Sequence, residues 1–195
     1  MPGQTRPVAD ERDGLLSFLT QVRYQLKLTG YGLTPEQLRA TPSVSVLSVG
    51  GLIKHAAYTE AGWLDSAVRR PPTYQPAYEW DQHFDVAEGE TYQEIVAFYD
   101  QVAAETERLV AGIADLGQPV PIDHSIPWNP REHDNWSVRW VLLHLIQETA
   151  RHAGHADIVR ESIDGATAFP LMAAAEGWPA SPWMQPWEAA AATDG

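Results

Sequence analysis

The chain has 195 residues and carries 26 acidic and 13 basic side chains, a formal net charge of −13. This charge repels phosphate backbones and anionic lipid, so binding to nucleic acid or to a membrane surface is not expected. The length and the 44% hydrophobic content suit one globular unit, and we expect residues 1–195 to form a single domain with its core at about 9–168.

Four long segments have apolar residues at helical spacing and predict helices at about residues 10–28, 48–69, 91–115 and 137–164. The first segment follows a polar stretch with no apolar leader pattern, and no run of about 18 apolar residues occurs in the sequence. We therefore expect a cytoplasmic protein. A short helix is also expected at TPEQLRA, where Thr34 is a typical N-cap and Pro35 suits the first helical position.

Two long Pro-rich stretches join these segments, at residues 70–90 and 117–135, and we expect both to cross the surface of the domain. Three histidines fall in these crossings, His83, His124 and His133. A histidine in such a connection is more often solvated than functional, so we expect no site residue among them.

The C-terminal stretch 169–195 contains three of the eight tryptophans, set among prolines. We expect an ordered aromatic wrap followed by a frayed end, with surface packing favoured over a lid on a ligand. Four helices and two long crossings predict an all-α fold, a four-helix bundle. In such bundles, ligand and metal sites are built from side chains on facing helices.

The fourth predicted helix carries three histidines and a glutamate on one narrow stripe. With Glu148 at 0°, His144 falls at about −40°, His152 at about +40° and His155 at about −20°. Apolar residues share the stripe, which indicates that the polar groups point inward. An unpaired buried carboxylate is costly, so the cluster is either a hydrogen-bonded network that satisfies itself or a metal site.

A metal site would use Glu148 and His152, which are four residues apart and can bind one ion from a single helix. His55 is on an inner face of the second helix; alone it would more often be a core histidine, but as a third ligand it would leave an open position, as in catalytic zinc sites. Zinc is our first expectation, although two imidazoles and a carboxylate equally suit iron(II), nickel(II) or manganese(II). His144 and His155 are candidates for a further ligand or for hydrogen-bond partners of the ligands.

The segments LIKHAAYTE and WVLLHLIQETARHAGHADIVRESIDG resemble the DinB-like superfamily, most closely its actinobacterial branch related to mycothiol-dependent maleylpyruvate isomerase and mycothiol S-transferases. The resemblance covers about residues 9–168. It implies a four-helix bundle that holds a divalent metal ion through His55 of the second helix and Glu148 and His152 of the fourth. Glutamate at position 148, where many members have histidine, is the feature shared with the mycothiol branch. The Trp-rich tail departs from the shorter members.

The resemblance implies an enzyme, a metal-dependent thiol transferase or isomerase that activates a low-molecular-weight thiol such as mycothiol against an electrophilic substrate. The sequence has no cysteine, so the thiol would have to be a substrate. Two other classes stay open: a hydrolase in which the same metal activates water, and a non-catalytic bundle acting in binding or in a stress response. The electrophile and the oligomeric state, a homodimer included, are not fixed by the sequence.

Overall fold

The computed structural model describes residues 3–74 and 84–189. Over these residues the elements are, in chain order, α1 (Glu11–Leu28), α2 (Pro35–Arg39), α3 (Val49–Ala67), α4 (Tyr92–Gly112), β1 (Pro119–Pro121), β2 (Asn135–Ser137), α5 (Val138–Asp164) and α6 (Ala168–Glu176). The helices α1, α3, α4 and α5 are the four predicted long helices, and α2 is the predicted short one. The prediction of an all-α DinB-like bundle is confirmed.

The long helices pack in the order α1, α5, α3, α4 around a continuous core. Side-chain caps start the two helices that matter most for the site: Ser48 accepts a hydrogen bond from the Gly51 amide of α3, and Ser137 accepts one from the Trp140 amide of α5. Such caps satisfy amide groups that have no partner within the helix, and they therefore fix where each helix begins. The register of α3 against α5 depends on these starts.

Three elements were not predicted, the helix α6 and the paired strands β1 and β2. The start of the expected tail is the helix α6, whose sequence signals are Pro170 in the first turn and Gly177 at the end, with φ of 68°. The second crossing is closed by an antiparallel ladder of β1 and β2, which pairs Val120 with Trp136. The two strands have three residues each, too few to show a period, and α6 is apolar at every position except Glu176, so it has no alternation of apolar and polar residues to read.

The tail continues past α6 to Trp187, whose ring lies over the buried Arg160 of α5, 4.9 Å from guanidinium carbon to ring centroid. Arg160 also donates to the carbonyls of Thr29 and Tyr31, which join the end of α1 to α5. The tail therefore packs on the end of the bundle, as the surface-packing prediction has it. The frayed end was predicted for the close of the tail, and residues 190–195 there lie outside the described residues.

Candidate metal centre

Helices α3 and α5 run antiparallel along one seam. The ring of His55 lies 4.9 Å from that of His152, and two turns further along α3 the ring of Trp63 lies 5.0 Å from that of His144. The α3–α5 seam comprises His55, Thr59 and Trp63 on α3 and Trp140, His144, Glu148 and His152 on α5. Each set repeats every four residues, so each lies on one face of its helix.

Three of the predicted site residues converge at one end of the seam. Nε2 of His152 lies 3.0 Å from Oε1 of Glu148, and Nε2 of His55 lies 3.7 Å from the same oxygen. The three ligand atoms all lie within 4.8 Å of one another. A tetrahedral ion with bonds of about 2.1 Å spaces its ligand atoms by about 3.4 Å, a value between the two measured separations. The group could therefore hold a metal ion with small side-chain adjustments.

The two imidazoles favour the ionised form of the Glu148 carboxylate. Hydrogen bonding to His152 and then to His55 outweighs the effect of burial and lowers the pKa of Glu148 well below its ordinary value. A carboxylate with two imidazoles turned toward one of its oxygens is a donor set suited to zinc and to several other divalent ions.

The polar stripe of α5 lies at the edge of the buried face rather than at its centre. The buried residues Leu145, Thr149 and Ala156 fall at about +60°, +100° and +80° from Glu148, so the buried face is centred about 80° from the carboxylate. The side chain of Glu148 is accordingly 25% exposed, and His152 is 12% exposed. The stripe therefore faces the seam, and its carboxylate is half-buried among the described residues.

His55 is covered by a segment that sequence spacing did not associate with it. The ring of Phe84 stacks on the imidazole at 4.1 Å with the planes 13° apart, and His55 is 3% exposed. Lys54 of α3 donates to the carbonyl of Asp85 and so fixes this segment to the helix. The close approach requires Gly51, because a Cβ there would lie 2.2 Å from the carbonyl oxygen of Phe84. The segment therefore covers one face of the imidazole and restricts how the ring can turn.

Gly51→Ala is expected to displace Phe84 and to destabilise the protein by about 1–3 kcal/mol, because the new methyl group overlaps a backbone atom. The matched control is Gly62→Ala in the same helix, where a Cβ meets nothing within 4 Å; it should stabilise the protein by about 0.5–1 kcal/mol. Urea denaturation of both variants measures the difference. Equal effects at the two glycines would show that Phe84 is not held against α3.

The other histidines of α5 flank the group without joining it. The ring of His144 stacks on that of Trp140, and burial lowers the pKa of His144 although the charge of Glu148 raises it. The ring of His155 lies 5.6 Å from that of His152, and Nδ1 of each is buried without a hydrogen-bond partner among the described residues. The structure therefore places both beside the three converged residues.

The structure describes two of the three histidines in the Pro-rich crossings. His124 and His133 are exposed, as expected for solvated side chains, while His83 lies outside the described residues.

Sequence analysis missed Thr59, whose hydroxyl oxygen lies 3.4 Å from Nε2 of His55. Its four-residue spacing from His55 was the available signal.

An all-α bundle with two histidines and a glutamate converging across facing helices defines a DinB-like protein with a candidate metal site. A model of the family described as mycothiol-S-transferase matches residues 14–165, most of the chain. The protein belongs to the mycothiol-S-transferase family, and the resemblance found in the sequence is confirmed. The family suggests a transferase that uses a small-molecule thiol.

Other comparisons concern the fold. No curated protein matches the sequence. A solved structure described as "Crystal structure of the conserved protein of locus from Enterococcus faecalis" is similar, with a TM-score of 0.64 and 14% identity, covering 82% of this chain and 100% of that chain. At this identity the similarity shows the fold alone. Within the part of the chain that the structure describes, no helix has the length and apolar character to cross a membrane.

Proposed function

We propose that the protein is a metal-dependent S-transferase that joins a low-molecular-weight thiol, with mycothiol as the candidate, to an electrophilic substrate. The observation that carries the proposal is the convergence of the His55 and His152 Nε2 atoms on one oxygen of Glu148 in a chain of this family. Catalytic metal sites of this size leave a coordination position open, and the partial exposure of Glu148 leaves access to it.

His55, Glu148 and His152 would hold the ion, with zinc as the first candidate and nickel, iron or manganese as alternatives. A divalent ion bound there lowers the pKa of a neighbouring thiol and so raises the thiolate fraction near neutral pH. The ionised Glu148 supplies the negative charge that favours a cation, and Phe84 fixes the orientation of the His55 ring.

The seam then holds the substrates for the transfer. The thiol sulfur forms a bond to the electrophilic carbon, the leaving group departs with the electron pair of the broken bond, and the thiol proton passes to solvent. The hydroxyl of Thr59 lies beside the converged ligand atoms and can donate a hydrogen bond to sulfur or to a substrate oxygen. These residues bind and orient both reactants on one face of the seam.

The test begins with metal analysis of the purified protein. The metal is then removed and zinc, nickel, iron(II) or manganese(II) is added back, and products are identified by mass spectrometry with mycothiol, glutathione or no thiol. Thioether formation that needs both metal and thiol supports the proposal. Metal-dependent hydrolysis without thiol would make the protein a hydrolase, and an absence of stoichiometric metal would favour the non-catalytic class.

Glu148→Gln is expected to weaken the affinity for the metal at least about tenfold, because the neutral amide is a poorer ligand than the carboxylate. Titration against a competing chelator at neutral pH measures the change. Glu161→Gln is the matched control, since Glu161 is an exposed residue of the same helix and should leave affinity unchanged. Parent-like affinity in the Glu148→Gln variant would remove Glu148 from the ligands.

A further inference from the structure

The side of the bundle between α1 and α4 is held together by long cationic side chains. These two helices pack less closely than any other neighbouring pair of long helices. Near one end of this side, Arg12 of α1 donates to the carbonyl of Ile113, which follows the last turn of α4. Near the other end, Lys27 of α1 pairs with Asp100 of α4. Helices bridged in this way at both ends leave space between them.

A cavity of about 440 Å³ occupies this space. Its wall on α1 is a polar face that includes Ser17, Thr20 and Gln21, and its wall on α4 includes Glu107. We refer to the space bounded by these four residues as the α1–α4 cavity. Pockets that bind small organic molecules measure about 300–1,000 Å³, so the α1–α4 cavity has room for such a ligand.

The N-terminal stretch forms a third side of the cavity. The guanidinium of Arg6 donates to the carboxylate of Asp13 in the first turn of α1, and the same carboxylate accepts a hydrogen bond from the Ala9 amide. These contacts fix the stretch along α1, where Gln4 and Thr5 line the cavity. Three separate parts of the chain therefore bound the cavity.

The lining of the cavity favours a ligand that is cationic and donates hydrogen bonds. The hydroxyls of Ser17 and Thr20 and the carboxylate of Glu107 are all acceptors. Glu107 is 52% exposed and lies 3.4 Å from Arg23, whereas Arg23 donates at 2.6 and 2.9 Å to Glu60. Because Arg23 is bound more closely to Glu60, the Glu107 carboxylate keeps acceptor capacity for a ligand.

The charges of the lining point the same way. Among the described lining residues, Arg6 and Asp13 neutralise each other, which leaves the negative charge of Glu107. The formal net charge of −13 on the whole chain also attracts cations. An anionic ligand would meet a repulsive field at this cavity, so anions are a poor match for it.

We propose that the α1–α4 cavity binds a small aliphatic polyamine, with one ammonium group on the carboxylate of Glu107. An ammonium group has three donors and no acceptor, which matches the oxygen atoms of Ser17 and Thr20. The methylene chain would lie against Leu16, the apolar residue of the lining. The cavity lies on the side of the bundle opposite the α3–α5 seam, so this inference does not depend on the proposed transfer reaction.

The first test is isothermal calorimetry with spermidine at 0.15 M salt, where the parent should bind one spermidine per chain. Glu107→Gln should weaken this binding at least tenfold, because a charge-assisted hydrogen bond to the ammonium group is lost. Glu132→Gln is the matched control, since Glu132 is an exposed acid of the second crossing and does not line the cavity. It should leave the affinity unchanged. Triethylene glycol, an uncharged chain, should not bind.

A second pair of variants tests the space of the cavity at constant charge. Ser17→Phe places a ring in the cavity and should abolish spermidine binding. Ser162→Phe adds the same ring at an exposed serine of α5 and should bind spermidine as the parent does. Circular dichroism checks the fold of both variants. If Ser17→Phe loses its helical signal, the smaller Ser17→Leu takes its place and should weaken binding at least fivefold.

Four outcomes would overturn the inference. Absence of saturable binding would do so directly. Equal weakening by Glu107→Gln and Glu132→Gln, or parent-like binding in Glu107→Gln, would show that spermidine only neutralises the acidic surface. Triethylene glycol binding as tight as that of spermidine would exclude recognition of the ammonium group. Loss of spermidine binding when the protein is loaded with zinc would assign the spermidine to the candidate metal centre.

Discussion

His152→Ala is expected to abolish stoichiometric binding of a divalent ion and, with it, thiol-dependent turnover. Losing even a hydrogen-bond partner of a metal ligand costs about 10–100-fold in affinity, so the loss of one of three ligands should exceed a hundredfold. The helix should survive, because α5 is held by buried residues such as Ala153, Ala156 and Val159, whereas the side chain of His152 lies at the edge of the buried face.

Three measurements check this expectation: metal content by atomic emission, thioether formation, and helical content by circular dichroism. His124→Ala is the control, since His124 is an exposed histidine of the second crossing. It should keep parent-like values in all three. A His152→Ala variant that retains one ion per chain would exclude His152 as a ligand, and one that unfolds would make the site structural.

The candidate site could be predicted because its geometry is mostly local. Glu148 and His152 are one helical turn apart, and a periodicity of 3.6 residues places them together whatever the rest of the chain does. His55 lies on another helix, and spacing showed only that it faces inward; the family resemblance linked it to the other two. Zinc stays a prediction, since the same donor set suits several ions. A cytoplasmic location and a homodimer also stay predictions.

Contacts between distant segments could not be predicted. Phe84 lies 29 residues after His55 in a Pro-rich crossing without periodicity, and nothing local in the sequence pairs the two rings. The position of the polar stripe was also approximate: the apolar residues near Glu148 indicated burial, but the centre of the buried face depends on how α1 and α3 together cover α5. This offset is why the side chain of Glu148 is 25% exposed rather than buried.

A second non-local feature lies in the middle of the bundle, where Arg23 of α1 and Glu60 of α3 form a buried ion pair. Nε and Nη2 of Arg23 donate to the two carboxylate oxygens at 2.9 and 2.6 Å, and the hydroxyl of Thr106 on α4 donates to the same carboxylate. Burial lowers the pKa of Arg23. Attraction to Glu60 and hydrogen bonding to it raise the pKa by more, so the pKa of Arg23 lies above its ordinary value. The pair joins three helices of the bundle.

Glu60→Leu is expected to destabilise the protein by about 3–5 kcal/mol, because it removes the buried counter-charge of Arg23 and leaves only the exposed Glu107 near the guanidinium. Against a typical total of about 5–15 kcal/mol, this is a large loss. The double variant Arg23→Met/Glu60→Leu should recover most of it, since apolar side chains can replace a complete buried pair. Glu107→Gln is the control: this carboxylate lies 3.4 Å from Arg23 but is 52% exposed, and its loss should cost less than about 1 kcal/mol. Urea denaturation of the parent and the three variants measures these differences. A double variant no more stable than Glu60→Leu would show that packing around Glu60, rather than its charge, holds the three helices together.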